Sequence, residues 1–276
     1  MRIDTHQHFW KYHPEEYPWI GRGMERLAQD RLPADLKPLI AEAGVAGTIA
    51  VQARQIVEET DALLQMADEN DFIRGVVGWV DLCSPRVEEQ LDRYKDHPKM
   101  VGVRHVVQDE PDERFMLREE FLHGIAGLEK RDLVYDILIF PNQLPAGIEM
   151  VKKFPDQAFI LDHIAKPCIR DGRLSPWDRD IKKLAAFTNV SCKISGMVTE
   201  AKWQGWKPHD FDPYLEVVLE AFGPHRITIG SDWPVCTLAA DYRSVISLAA
   251  DFIGRLSEDE QKAIWEDNPA RIYRLK

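Results

Sequence analysis

No stretch of the chain approaches the roughly 18–20 consecutive apolar residues of a membrane-spanning helix, so no span is expected. Neither G-x-G-x-x-G nor a Walker A sequence occurs, which removes the usual phosphate-cradling turn. Basic charge is in deficit: 35 Lys plus Arg against 46 Asp plus Glu leave a formal charge of −11. That balance excludes a general nucleic-acid or anionic-membrane binder, whose affinity depends on a basic face. Cysteine is sparse. Cys83, Cys168, Cys192 and Cys236 are scattered and form no C-x-x-C pair. The opening Met1-Arg2-Ile3-Asp4-Thr5-His6 turns polar at once, unlike an apolar export signal. Reduced thiols in a cytoplasmic protein are therefore expected, not a disulfide framework. Asn189-Val190-Ser191 fits the N-glycosylation pattern only by chance in that setting.

Low-complexity tracts, charge blocks and linkers are also missing, so residues 1–276 read as a single domain. At 45% hydrophobic and 29% charged residues, the chain has ample apolar surface for a core. Short apolar runs predict strands at Arg2–His6, Gly47–Gln52, Ile73–Asp81, Met100–His105, Leu133–Leu138, Ala158–His163, Val190–Ser195 and Arg226–Asp232. Segments of helical period lie between them, including Thr60–Asn70, Arg86–Asp96, Leu117–Arg131 and Tyr214–Phe222. Alternation of this kind predicts parallel β/α units, and eight of them fit a (β/α)8 TIM barrel better than an open doubly wound sheet. A final helix opens on the capping box Ser257-Glu258-Asp259-Glu260 and runs toward Asn268-Pro269-Ala270-Arg271 as packing.

In such a barrel the carboxyl ends of the strands surround one pocket. The polar residues there are His6 and His8, Gln52 and Arg54, Asp81, Arg104 and His105, Asp136, His163, Lys193 and Asp232. Any one of them has an ordinary reading as a residue leaving the core. The His6-Gln7-His8 triplet is sharper, because alternation along a strand puts both imidazoles on one face, where they can hold a divalent metal or polarise an oxygen. Asp232 ends the last run, beside the first strand once the barrel closes, and with three histidines nearby it becomes a general base.

Four segments carry a resemblance: Asp4-Thr5-His6-Gln7-His8-Phe9-Trp10, Leu161-Asp162-His163-Ile164-Ala165-Lys166-Pro167, Gly230-Ser231-Asp232-Trp233-Pro234 and Asn268-Pro269-Ala270-Arg271. In that order they resemble the amidohydrolase superfamily, and within its amidohydrolase-2 group the sugar-lactonase branch of L-fuconolactonase- and L-rhamnonolactonase-like enzymes. The two-metal members of the superfamily use a carboxylated lysine or glutamate on the fourth strand and a histidine on the fifth. Here those strands end Val103-Arg104-His105 and Leu133-Val134-Tyr135-Asp136, so a two-metal centre is not expected. The resemblance implies one divalent ion, such as zinc, on His6, His8, His163 and Asp232, or no required cofactor.

The activity so implied is hydrolysis of a sugar lactone to its aldonic acid, with Asp232 activating water and His6, His8 and His163 polarising the carbonyl. Trp19, Gln52, Arg54, Arg104, His105, Tyr135 and Lys193 are the expected substrate contacts, and a small sugar lactone is the expected partner, with no nucleic acid and no membrane. A homo-oligomer is compatible with the sequence. Lys166 is equally compatible with the pocket and with a structured rim beside Pro167. The competing activities are hydrolysis of a pyrone-dicarboxylate-type lactone, which would require converging arginines, and metal-dependent decarboxylation on the same barrel. A catalytically silent sugar-binding barrel is the third alternative.

Overall fold

The computed structural model describes residues 1–275. Eight strands run β1 (Ile3–Gln7), β2 (Gly47–Val51), β3 (Ile73–Gly78), β4 (Met100–His105), β5 (Val134–Ile137), β6 (Phe159–Leu161), β7 (Val190–Ile194) and β8 (Ile227–Ile229). They form one sheet in sequential order, every pair parallel. The ring closes between its first and last members: Gln7 bridges Trp233, Asp232 donates its N–H to the His6 carbonyl at 2.8 Å, and His8 donates to the Trp233 carbonyl at 2.7 Å. This is the (β/α)8 barrel that the alternation predicts.

The connecting helices are α1 (Pro33–Glu42), α2 (Val57–Glu69), α3 (Val87–Asp92), α4 (Glu119–Glu129), α5 (Leu144–Lys153), α6 (Trp177–Ala185), the short α7 (Met197–Glu200), α8 (Asp212–Phe222) and α9 (Tyr242–Ile253). Helix α2 buries Leu63, Leu64 and Ala67, the face read from its period. None of the described helices is long and apolar enough to cross a membrane. The tail consists of α10 (Glu258–Lys262), capped by the reciprocal Ser257–Glu260 bonds, a π-helical turn and α11 (Asn268–Ile272).

Three strands stop two or more residues sooner than their apolar runs imply. Strand β3 ends at Gly78, not Asp81. Strand β6 ends at Leu161 because His163 begins a left-handed turn, and β8 ends at Ile229 because the chain bends through Asp232 at φ +57°. His163 and Asp232 therefore sit just past their strands, on turns.

Apolar packing divides into an outer and an inner layer. The helices cover the sheet with a continuous cluster in which Leu63, Phe121, Leu128, Tyr214 and Trp265 are buried. Inside the ring, Ile3, Ile49, Val51, Val77, Val101, Val134 and Ile160 pack together with Ile272 and Tyr273 from the tail. The C-terminal residues thus plug one end of the barrel, and the polar strand ends gather at the other.

Candidate active site

Strand β1 brings His6 and His8 inward on one side of the chain, after a register shift between Asp4 and Gln7. Their rings lie 5.0 Å apart, and the His163 ring lies 4.4 Å from that of His6. Asp232 completes the group, with Oδ1 3.4 Å from His8 Nε2 and 3.8 Å from His6 Nε2. His163 is aimed by its left-handed backbone and by Ser195 Oγ, 2.9 Å from Nδ1. Gly196 makes room for it: at φ +62° a Cβ there would fall 2.5 Å from that same nitrogen.

Beneath these rings lies a buried ionic layer. Lys193 Nζ pairs with Asp136 and, at 2.9 Å, with Asp162; Arg104 reaches the other oxygen of Asp162 at 3.1 Å. Two carboxylates and two cations balance there, as burial demands. Tyr273 donates to Asp136 from the plugged end at 3.0 Å, so the tail contributes one polar contact besides packing. His6 rests directly on this layer, its Nδ1 3.4 Å from Asp162 Oδ1 and 3.3 Å from Lys193 Nζ.

These surroundings set the protonation states. Burial drives His6 well below the ordinary 6.5, Asp162 pulling it up and Lys193 pushing it further down. Burial likewise depresses His163, against the attraction of Asp232. Asp232 is also buried, but His163, His8 and Lys166 together outweigh that and hold it below 3.8. Burial raises Asp162 too, yet Lys193, His6 and Arg104 win and keep it far below the carboxylate range. Asp136 goes the other way, burial lifting it to about 7 against Lys193. The site thus combines neutral His6 and His163 rings with an ionised Asp232.

The donors suit a divalent cation. His6, His8 and Asp232 form one group whose ligand atoms lie within 4.8 Å of one another, and His6, Asp162 and His163 form a second. His8 Nδ1 lies 2.8 Å from the Val51 carbonyl, which can only accept, so the proton sits on Nδ1. That leaves Nε2 facing Asp232 Oδ1 at 3.4 Å, with room for a cation, a proton or a metal ion, to bind between the two. A nitrogen and carboxylate set of this kind fits zinc. A second ion beside it would meet the Arg104 guanidinium, 3.3 Å from His6 Nε2.

Above the site opens a cavity of about 840 Å³, lined in part by His8, His163, Asp232, Trp19, Arg54 and Arg104. Gln52 and Lys193 do not line it. Gln52 accepts Arg104 Nε at 2.9 Å and donates to the Arg54 carbonyl at 3.1 Å, so it supports the wall from behind. His105 and Tyr135 correct the sequence reading. Alternation along β4 and β5 sends them outward, where His105 stacks on Phe115 with rings 4.9 Å apart and bonds Glu110, while Tyr135 packs edge-on against Phe121 and Phe159. Asp81 accepts the Cys83 N–H at 3.0 Å, as a turn cap does.

Sequence reasoning passed over Asp162 and Gln108 as members of this site and left Lys166 open between pocket and rim; Lys166 lines the cavity. Asp162 was signalled only by adjacency to His163. Gln108 follows β4 in a short turn and lines the cavity, with no periodicity to mark it.

Comparison with known proteins agrees with this geometry. The model of the amidohydrolase family matches residues 3–275. An L-fucono-1,5-lactonase of Burkholderia multivorans is 42% identical, the alignment covering 100% of this chain and 96% of that one. An L-fucono-1,5-lactonase of Burkholderia ambifaria is 34% identical, with the same coverage of 100% and 96%. The crystal structure of an amidohydrolase from Burkholderia multivorans with bound zinc superposes with a TM-score of 0.96 at 42% identity, covering 100% of both chains.

Proposed function

The chain belongs to the amidohydrolase family, and from that membership we propose that it hydrolyses a sugar lactone of the L-fucono- or L-rhamnono-lactone type to the aldonic acid. The observation that carries this reading is the convergence of three imidazoles and an ionised carboxylate at the base of one cavity, which His8, His163 and Asp232 line and His6 underlies. The likeness to the two L-fucono-1,5-lactonases supports the substrate class.

Asp232 takes a proton from water as the water oxygen attacks the ring carbonyl. The adduct collapses, the ring C–O bond breaks, and Asp232 returns the proton to the departing oxygen. A divalent ion held by His6, His8, His163 and Asp232 would polarise the carbonyl and favour deprotonation of water. Asp162 orients His6 through Nδ1, and Ser195 orients His163. Arg104 faces the same centre as a fixed cation, locked by Gln52 and Asp162.

The walls favour a neutral polyhydroxylated ring. Three buried polar atoms of lining residues, Trp19 Nε1, Arg54 Nε and Gln108 Oε1, lack a hydrogen-bond partner among the described residues and suit ring hydroxyls. The arginines of the wall are neutralised, Arg54 by Glu16 and Glu59 and Arg104 by Asp162. Glu15 and Asp109 add negative charge at the rim, which disfavours a dicarboxylated pyrone. The free state of Cys83, Cys168, Cys192 and Cys236 supports a reducing, cytoplasmic setting. The test is a proton-release screen over aldonolactones and dicarboxylated pyrones, with and without chelator. Turnover of neutral lactones is expected; turnover confined to the pyrones, or carbon dioxide release from an aromatic acid, would replace this reading.

A further inference from the structure

Of the three cations that line the cavity, two are committed. Arg54 is paired with Glu16, and Arg104 is bonded to Gln52 and Asp162. Lys166 is different. Its nearest carboxylate, Glu200, stands 3.9 Å away, beyond hydrogen-bonding reach, and the face of Phe140 lies 5.6 Å from the ammonium. Among the described residues no acceptor is bonded to Lys166 Nζ, so a wall residue presents an unspent donor to the space above Asp232.

The backbone that carries it is strained. His163, Ile164, Ala165 and Lys166 all adopt positive φ, at 52°, 49°, 57° and 47°. One such residue is uncommon outside glycine, and a β-branched Ile164 is an outlier. The turn is pinned on every side: Ile164 and Ala165 are wholly buried, Trp177 Nε1 donates to the Ile164 carbonyl at 2.7 Å, and the Lys166 N–H returns to the His163 carbonyl at 2.8 Å. Strain of this kind persists where the surroundings over-determine it, and here it presents His163 and Lys166 to one cavity.

We propose that Lys166 is a further catalytic residue, its ammonium donating to the ring oxygen as the lactone C–O bond breaks. The assignment rests on the lactonase reading above. The bond's electron pair goes to that oxygen, the proton comes from Asp232, and Lys166 stays an ammonium throughout, stabilising the charge that develops before the proton arrives.

The role separates from mere structure by the leaving group. An aldono-1,5-lactone must expel a strongly basic alkoxide, whereas its 1,5-thiolactone analogue expels a thiolate that leaves readily without such help. Lys166→Met keeps a straight side chain on the same backbone but removes the charge. We expect kcat on the lactone to fall by about 10²–10³-fold and the thiolactone rate to change far less, with Lys166→Arg recovering part of the loss. The readout is a ratio between two substrates of one variant, so partial unfolding cancels. Equal losses on both substrates, or no loss on either, would overturn the assignment while leaving the lactonase reading intact. Wild-type protein inert to both substrates would overturn both together.

Discussion

Gly230 lies so close to His6 that a Cβ on it would fall 2.5 Å from the imidazole's own Cβ and 3.0 Å from its backbone nitrogen. Neither of those atoms can swing aside as a flexible chain end would. The substitution Gly230→Ala is expected to displace the His6 ring. A shift of the order of 1 Å costs about 10²-fold in rate, and kcat/KM should show it while circular dichroism reports an intact barrel.

Asp232→Asn should remove the base. Loss of about 10²–10⁴-fold in kcat on an aldonolactone is expected, with the fold unchanged because the amide keeps its backbone bond to the His6 carbonyl. Near-normal turnover by a folded variant would refute the proton path.

Metal content offers an independent check. His8→Ala should abolish stoichiometric zinc uptake, measured by elemental analysis after dialysis. His105→Ala should leave uptake unchanged and instead lower the thermal midpoint, since that ring packs on Phe115. Equal zinc loss in the two variants would place the metal elsewhere.

The pH dependence follows from the buried rings. His6 and His163 are held well below 6.5, and Asp232 below 3.8, so the active protonation state survives through neutrality. Blank-corrected activity should stay level as pH falls to 6.5 and decline only on the acid side of it. Stability moves in the same sense. Both histidines have folded pKa values below their unfolded ones, so their contribution is complete above 6.5 and drains away as pH falls toward the folded values. An activity maximum near pH 5, a value chosen as roughly midway between ordinary carboxylate and imidazole ionisation, would contradict the scheme.

Lys193→Met strands Asp136 and Asp162 in the interior with one cation fewer. A cost of about 3–5 kcal/mol is expected from urea unfolding. A variant as stable as wild type would mean that these carboxyls are not both ionised.

The barrel was legible because eight apolar runs alternate with helical ones, and that period survives without coordinates. The reacting residues were legible for a related reason: His6 and His8 share a face by alternation, and His163 and Asp232 terminate runs. What failed was parity. His105 and Tyr135 are one residue out of phase with Arg104 and Asp136, and a polar strand end does not announce which of two neighbours turns inward. Gln52 and Lys193 were placed at the right end of the barrel, but pairing with Arg104 and with Asp136 and Asp162 keeps them out of the cavity. Only three-dimensional neighbours disclose that commitment. The same holds for Gly196, whose role depends on His163, more than thirty positions earlier in the chain.

The Gln7–Trp233 bridge has a consequence for biosynthesis. A ribosome emits Gln7 well before Trp233, with the other seven strands of the barrel made in between. Until then the leading strand keeps one hydrogen-bonding edge bare, open to mispairing with any extended segment nearby. Its two histidines cannot meet their carboxylate in that interval, so a nascent or prematurely terminated product is chemically idle, and competence arrives in one late step.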